Sequence, residues 1–294
     1  MTYAWQIARD VWADLGMIAP LEEFLATGGN TTTIVNAKWG DRPSAPTDDY
    51  ALDYTAIVVR DADGASAAPE GQMQRVSLYN SETYTYTVDT AFTAGVASGD
   101  LVALANAFIP LREMMRAMNR GLQDIGYIEN VDATLTATTD TYEYTLPVEL
   151  KREEIRRLEW DNGTYKEPIS SNFDVRLSAP GSTGVLIISE PPAGTLYIRY
   201  DGIHPQLTAY NSYVSETINP TLVVAAASAH ALEWYNSSKS GNDAYWLQRE
   251  NKAWQDLENA RARYPVTKTQ KTSRFFVLGQ RSNRYPGDQS IYNR

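Results

Sequence analysis

Two apolar periods alternate along this chain. From Tyr3 to Ile18 the apolar residues Trp5, Ala8, Val11, Trp12 and Leu15 recur three and four positions apart, the period of one helix face, with Asp10 and Asp14 between them. Gly16 and Pro20 bring that segment to an end. From Thr31 to about Ala105 the period falls to two. Thr31–Val35 and Tyr54–Val59 are β-branched runs, and Tyr84, Tyr86 and Val88 alternate with Thr85 and Thr87. Four to six strands are expected there, with Asp63-Gly64 and Ser98-Gly99-Asp100 as turns. Helical spacing returns from Ile109 to Ile125 through Leu111, Met114, Met115, Met118, Leu122 and Ile125, with Pro110 in the first turn and Gly126 at the cap.

A second strand-rich stretch follows from Val131 to Tyr200. Tyr142, Tyr144 and Leu146 alternate with polar neighbours up to Pro147, and Leu158 and Trp160 precede an Asp161-Asn162-Gly163 turn. Pro191-Pro192-Ala193-Gly194 is a loop between two further strands. Asn219 and Pro220 then form an N-cap and first-turn pair for a helix with Leu222, Val223, Ala226, His230, Glu233 and Trp234 on one face. A break at Ser237–Gly241 leads into a last helix with Leu247, Trp254, Leu257, Arg261 and Tyr264 at near-heptad spacing.

Four apolar stripes, far apart in sequence, must each be buried. The economical solution is an α+β fold: a four-helix bundle (3–18, 109–125, 219–236 and 242–264) with β-rich insertions at 31–105 and 131–200. Residues 1–264 are expected to form a single elaborated domain, followed by an extended basic C-terminal arm, 265–294. The arm holds six basic residues against Asp288, so a tail of +5 in a chain of −10 leaves −15 on residues 1–264. A body this acidic is a poor phosphate binder.

Composition removes several kinds of chemistry. The absence of cysteine excludes disulfides, thiolate metal sites and cysteine nucleophiles, and two histidines, His204 and His230, cannot make a three-histidine site. No apolar run reaches the ~18 residues of a membrane helix, and Arg9, Asp10 and Asp14 do not fit a signal-peptide layout. Phosphate-cradling, dinucleotide-binding, zinc-protease and serine-hydrolase motifs are missing. His230 reads as a core histidine and His204, before Pro205, as a turn residue. Asp61-x-Asp63-Gly64 starts like a calcium loop, but Ala65 stands where the next ligand belongs. The pairs Asp48-Asp49 and Glu153-Glu154 would point to opposite strand faces. No catalytic, cofactor or metal residue is assigned, and no enzymatic activity is expected. The 19 tyrosines and 7 tryptophans are expected mainly in core and subunit contacts, with Trp12, Met118, Trp234, Trp254 and Tyr264 as helix-bundle or interface residues. Arg274, Phe275, Phe276, Val277, Leu278 and Arg281 form the arm's apolar anchor with cationic flanks, suited to a partner's groove.

The order of these pieces resembles the head-to-tail connector (portal adaptor, or neck ring) proteins of tailed bacteriophages. The resemblance lies in Ser98–Val102 and the following Met118-Asn119-Arg120-Gly121-Leu122, in Thr141–Pro147 with Ile155–Trp160, and in the closing pair Ala226–Glu233 and Trp254–Pro265. It covers most of residues 1–265, and the first insert is long for such a protein. It implies a structural virion protein, assembled in the bacterial cytoplasm as a homo-oligomeric ring, commonly of twelve subunits. That ring would join the portal protein to the next tail or neck protein. DNA would pass its lumen without specific nucleic-acid binding, no membrane or cofactor would be involved, and the C-terminal segment would engage a neighbouring virion protein. Aromatic content supports an alternative, a carbohydrate- or receptor-binding β module of a phage tail. An enzyme working with carboxylates alone is a further rival.

Overall fold

The computed structural model describes residues 2–41, 46–64, 67–146, 150, 154–169, 173–176, 183–240, 243–266 and 268. The fold is α+β, with four helices and several antiparallel sheets. In chain order the first elements are β1 (Thr2–Tyr3), α1 (Ala4–Asp14), β2 (Glu23–Leu25), β3 (Gly28–Gly29), β4 (Thr33–Val35), a 3-10 turn (Ala37–Asp41), β5 (Thr55–Arg60), β6 (Met73–Asn80), β7 (Thr85–Val88), β8 (Leu101–Ala105), α2 (Leu111–Asp124) and β9 (Ile128–Asp132). Then come β10 (Thr136–Ala137), β11 (Glu143–Thr145), β12 (Ile155–Asp161), β13 (Lys166–Pro168), β14 (Phe173–Arg176), β15 (Val185–Ile188) and β16 (Gly194–Gly202). The chain closes with β17 (Tyr213–Val214), α3 (Pro220–Tyr235), a π-turn (Asn236–Ser240) and α4 (Ala244–Arg263). These elements fall into two compact units, one made of residues up to 130 and 202–268, the other of 131–201.

In the first unit α3 packs against each of the other helices. Its sequence explains this: it is apolar nearly all round, with Leu222, Val223, Ala226, Ala227, Ala229, Ala231 and Leu232 buried, and such a helix needs cover on every side. Asn219 caps it by accepting the Thr221 N–H at 2.9 Å, with Pro220 at the first helical position. Small residues let α2 come close. A Cβ on Gly121 would stand 3.0 Å from the Ala226 carbonyl carbon and Cβ and from the Ala227 nitrogen.

The same unit holds a sheet in the order β2-β8-β5-β6-β7-β4-β3, all pairs antiparallel. Its central strands are buried on both faces, so they read as nearly continuous apolar runs. Ile57, Met73, Ala103 and Ala105 face the helices. Ala56, Val58, Val102 and Leu104 point the other way, into a second core closed by Phe24, Ile34, Tyr79 and Tyr86. Five strands lie within the 31–105 span expected to be β-rich, and the sheet adds β2 and β3 ahead of it. The period-two reading passes over β6, because the register shifts between Val76 and Leu78 and turns Leu78 outward while Tyr79 is buried.

The second unit wraps one core between two antiparallel sheets. Leu158, Leu196 and Ile198 come from β12 and β16, and Tyr144, Leu186 and Ile188 from β11 and β15. The turn at Asn162–Tyr165 makes β12 and β13 a hairpin, as Asp161-Asn162-Gly163 suggests. The Pro191–Gly194 loop joins two strands of different sheets, β15 and β16, rather than a paired hairpin.

Candidate functional site

The helical unit has a concave surface between the end of α1, α3 and α4. Leu15, Val224, Ala225, Ser228, Leu232 and Ala253 line a groove of about 290 Å³. Asp14, Lys252 and Asp256 stand exposed on its rim. The Ser228 hydroxyl oxygen is buried there and has no hydrogen-bond partner among the described residues. One end of the groove is closed by Arg249, whose Nη2 donates to the Leu15 carbonyl at 2.8 Å and so satisfies an orphan acceptor at the end of α1.

Arg249 also ties the groove to an aromatic corner at the turn between α3 and α4. Its guanidinium lies 5.1 Å above the Trp246 ring and 5.8 Å above Tyr245. Tyr235 and Phe108 pack on the same group, with centroids 4.6 Å (Tyr235–Trp246) and 5.8 Å (Phe108–Tyr235) apart. Phe108 is 49% and Tyr245 59% exposed, so this corner presents aromatic surface outward. Asn236 fixes the turn by donating to the Trp246 carbonyl at 3.2 Å. Sequence reasoning missed this corner. Its members come from three separate segments, and Leu247, placed on the α4 stripe by its spacing, is 37% exposed.

A third arrangement joins three helices. His230 on α3 has Nε2 2.7 Å from an Asp124 carboxylate oxygen at the end of α2 and Nδ1 3.0 Å from Glu233, and its ring meets Trp254 of α4 edge-on at 5.2 Å. Arg261 donates to the Asp124 carbonyl at 3.1 Å from the far side. The histidine is buried and packed against these partners, which matches a tie between helices.

The residues expected at helix contacts separate into two classes. Trp12 and Met118 are fully buried, and the Trp12 indole donates to the Ile109 carbonyl at 3.1 Å. Trp234, Trp254 and Tyr264 are half-buried at the surface of the helical unit. Arg274, Phe275, Phe276, Val277, Leu278 and Arg281 lie outside the described residues.

Other candidates have local structural roles. His204 accepts the Ser215 N–H at Nε2, 3.0 Å, so Nδ1 carries the proton donated to the Pro205 carbonyl, 2.6 Å. Burial pushes its pKa down, against the opposing pull of the Pro205 carbonyl. Asp61 accepts the Asp63 N–H at 2.7 Å in an Asx turn, with Ala65 outside the described residues. Asp48 accepts the Ser81 N–H at 2.7 Å, a bond that lowers its pKa, and Asp49 turns the chain at φ 61°. Glu153 lies outside the described residues. Among the described residues no group of three or more His, Asp or Glu side chains could hold a metal ion, and no helix is long and apolar enough to cross a membrane. The tyrosines of the first insert are largely internal. Tyr79 and Tyr86 are fully buried, Tyr50 bonds Tyr86 at 2.8 Å, and burial raises both phenol pKa values above the ordinary range.

The chain matches no protein-family model, and no curated protein matches it in sequence.

Proposed function

We propose that this protein is a non-enzymatic head-to-tail connector of a tailed bacteriophage: a ring subunit that sits between the portal and the next tail or neck protein. In this reading the four helices act as a bundle that forms the ring body, the two β-rich inserts offer surfaces to neighbours, and the C-terminal arm is a clamp. The observation that carries it is the order of elements: helices from opposite ends of the chain converge on α3, with the sheet of the first insert built into the same core. The connector-like phrases fall at working points of that arrangement. Asp100 accepts the Ala62 and Ala97 N–H groups at 2.9 and 2.8 Å, and Gly121, in the Met118–Leu122 phrase, is where α2 comes close to the α3 backbone at Ala226 and Ala227. The exposed aromatic corner beside the groove supplies the kind of surface on which permanent subunit contacts are built. Tyr50, Tyr54, Tyr79 and Tyr86 of the first insert pack into its core, whereas the exposed Tyr142 and Tyr165 of the second insert are the surface on which the carbohydrate-binding alternative would rest.

Single-molecule mass measurement tests the proposal on the chain alone and after mixing with the portal ring from the same genome. The expected result is a jump by many copies of 32.8 kDa in the mixture. No association at any salt concentration would overturn it, and glycan affinity in its place would return the alternative.

A further inference from the structure

We propose that the groove between the end of α1, α3 and α4 seats the C-terminal segment of a second copy of this chain, with Phe275–Leu278 as the apolar anchor. The inference names a partner for the arm, and it rests on the connector reading only in that a ring sets copies side by side.

The groove has the features of an unfilled seat. Its floor is apolar, from Val224, Ala225, Leu232 and Ala253, and the one polar group on the α3 wall that is buried without a partner among the described residues is the Ser228 hydroxyl. An extended segment carries a backbone carbonyl at every residue, so it can take that proton while its side chains enter the floor.

Length and charge single out the occupant. Beyond Lys268 lie 26 residues, 269–294, whose longest run of consecutive large apolar side chains is Phe275-Phe276-Val277-Leu278. Four extended residues span about 13 Å. From Arg249 to Ala260 the groove follows eleven positions of α4, about 16 Å. The anchor therefore fits within the groove, and its flanking arginines, Arg274 and Arg281, about 23 Å apart when extended, would reach past the two ends. The end of α1 lacks such cations: its last turn carries Asp14 and no basic residue, with Asp10 one turn earlier. Acids at a helix C-terminus oppose the helix dipole, and Asp10 feels both burial and Asp14 as upward shifts of its pKa, against Arg9 at 3.6 Å. On the lining itself Asp14 and Asp256 are matched by Lys252 and Arg249, the latter engaged at the Leu15 carbonyl. An arm of +5 meeting a body of −15 adds long-range attraction. Seven residues from Lys268 to Phe275 reach about 23 Å.

The chain lacks cysteine, so two introduced thiols are unambiguous. The test is the full-length Ala225→Cys/Val277→Cys chain under mild oxidation, with Thr221→Cys at the exposed mouth as a second position and Tyr213→Cys/Val277→Cys as a surface control; circular dichroism checks each fold. The expected product is a covalent ladder of dimers and larger species, about tenfold or more over the control because docking raises local thiol concentration. Adding Phe275→Ser and Phe276→Ser should return it to the control level. A closed monomeric disulfide would assign the groove to the chain's own segment and overturn the second-copy assignment. Disulfide formation no greater than in the control, at both groove positions, would overturn the groove itself. A ladder in a chain that never associates with portal would uphold this inference and sink the connector reading.

Discussion

His204 shows how a single buried side chain makes a loop depend on pH. The ring bridges residues 204–205 to Ser215 only as the neutral tautomer with its proton on Nδ1, because Nε2 must accept. Protonation would set an N–H against the Ser215 N–H. Burial holds the folded pKa below the unfolded value of about 6.5. The unfolded chain therefore takes up the proton first. The stabilisation is complete above the unfolded pKa and is lost as pH falls through the folded one. An NMR titration of the two histidine rings should find His204 titrating below about 6.5; a midpoint at or above that value would contradict the assigned geometry. Gly121 is a second residue-scale case. A glycine inside a helix ordinarily costs about 1 kcal/mol relative to alanine, but here the missing side chain is what lets α3 approach. Gly121→Val should lower stability by about 1–3 kcal/mol through overpacking, read as a lower urea midpoint with an unchanged slope. The sequence displays Gly121 only as a propensity defect, since nothing local tells which backbone lies above it.

At the scale of elements, legibility followed burial. α1 and α2 have one buried face each, and their apolar spacing located them to within a few residues: Tyr3–Ile18 expected against Ala4–Asp14, and Ile109–Ile125 against Leu111–Asp124. Pro110 stands at the N-cap rather than inside the first turn, and Gly126 adopts the left-handed cap expected of it, φ 87°. For α3 the ends were legible and the orientation was not, because a helix covered all round offers no stripe to read. β6 was hidden by its register shift, and the groove and aromatic corner were hidden because their residues meet only in three dimensions. The clearest local signal, Asn219-Pro220, yields a prediction. Asn219→Ala should cost about 1 kcal/mol through the lost bond to the Thr221 N–H, while Asn219→Asp should keep it. Equal losses for both variants, measured by urea denaturation, would show that the cap contributes nothing.

For the whole molecule, charge and apolar surface are divided between a folded acidic body and a basic arm. The helical core is completed by residues near the chain's end: Tyr264 and Val266 pack against it. A chain ending after Lys268 keeps those contacts while removing Phe275–Leu278 and five of the arm's six basic residues. If the arm serves assembly alone, the stability of the shortened chain should stay within about 0.5 kcal/mol of the full chain. Its assembly on a portal ring should fail, since the arm proposed to clamp a neighbour and fill its groove is gone. Fold and assembly are thus predicted to separate in one variant. A truncated chain that unfolds would place the arm in the fold's own stability. One that folds and still builds the ring on the portal would remove the arm from the assembly mechanism and leave the aromatic corner of Phe108, Tyr245 and Trp246 as the surface to mutate next.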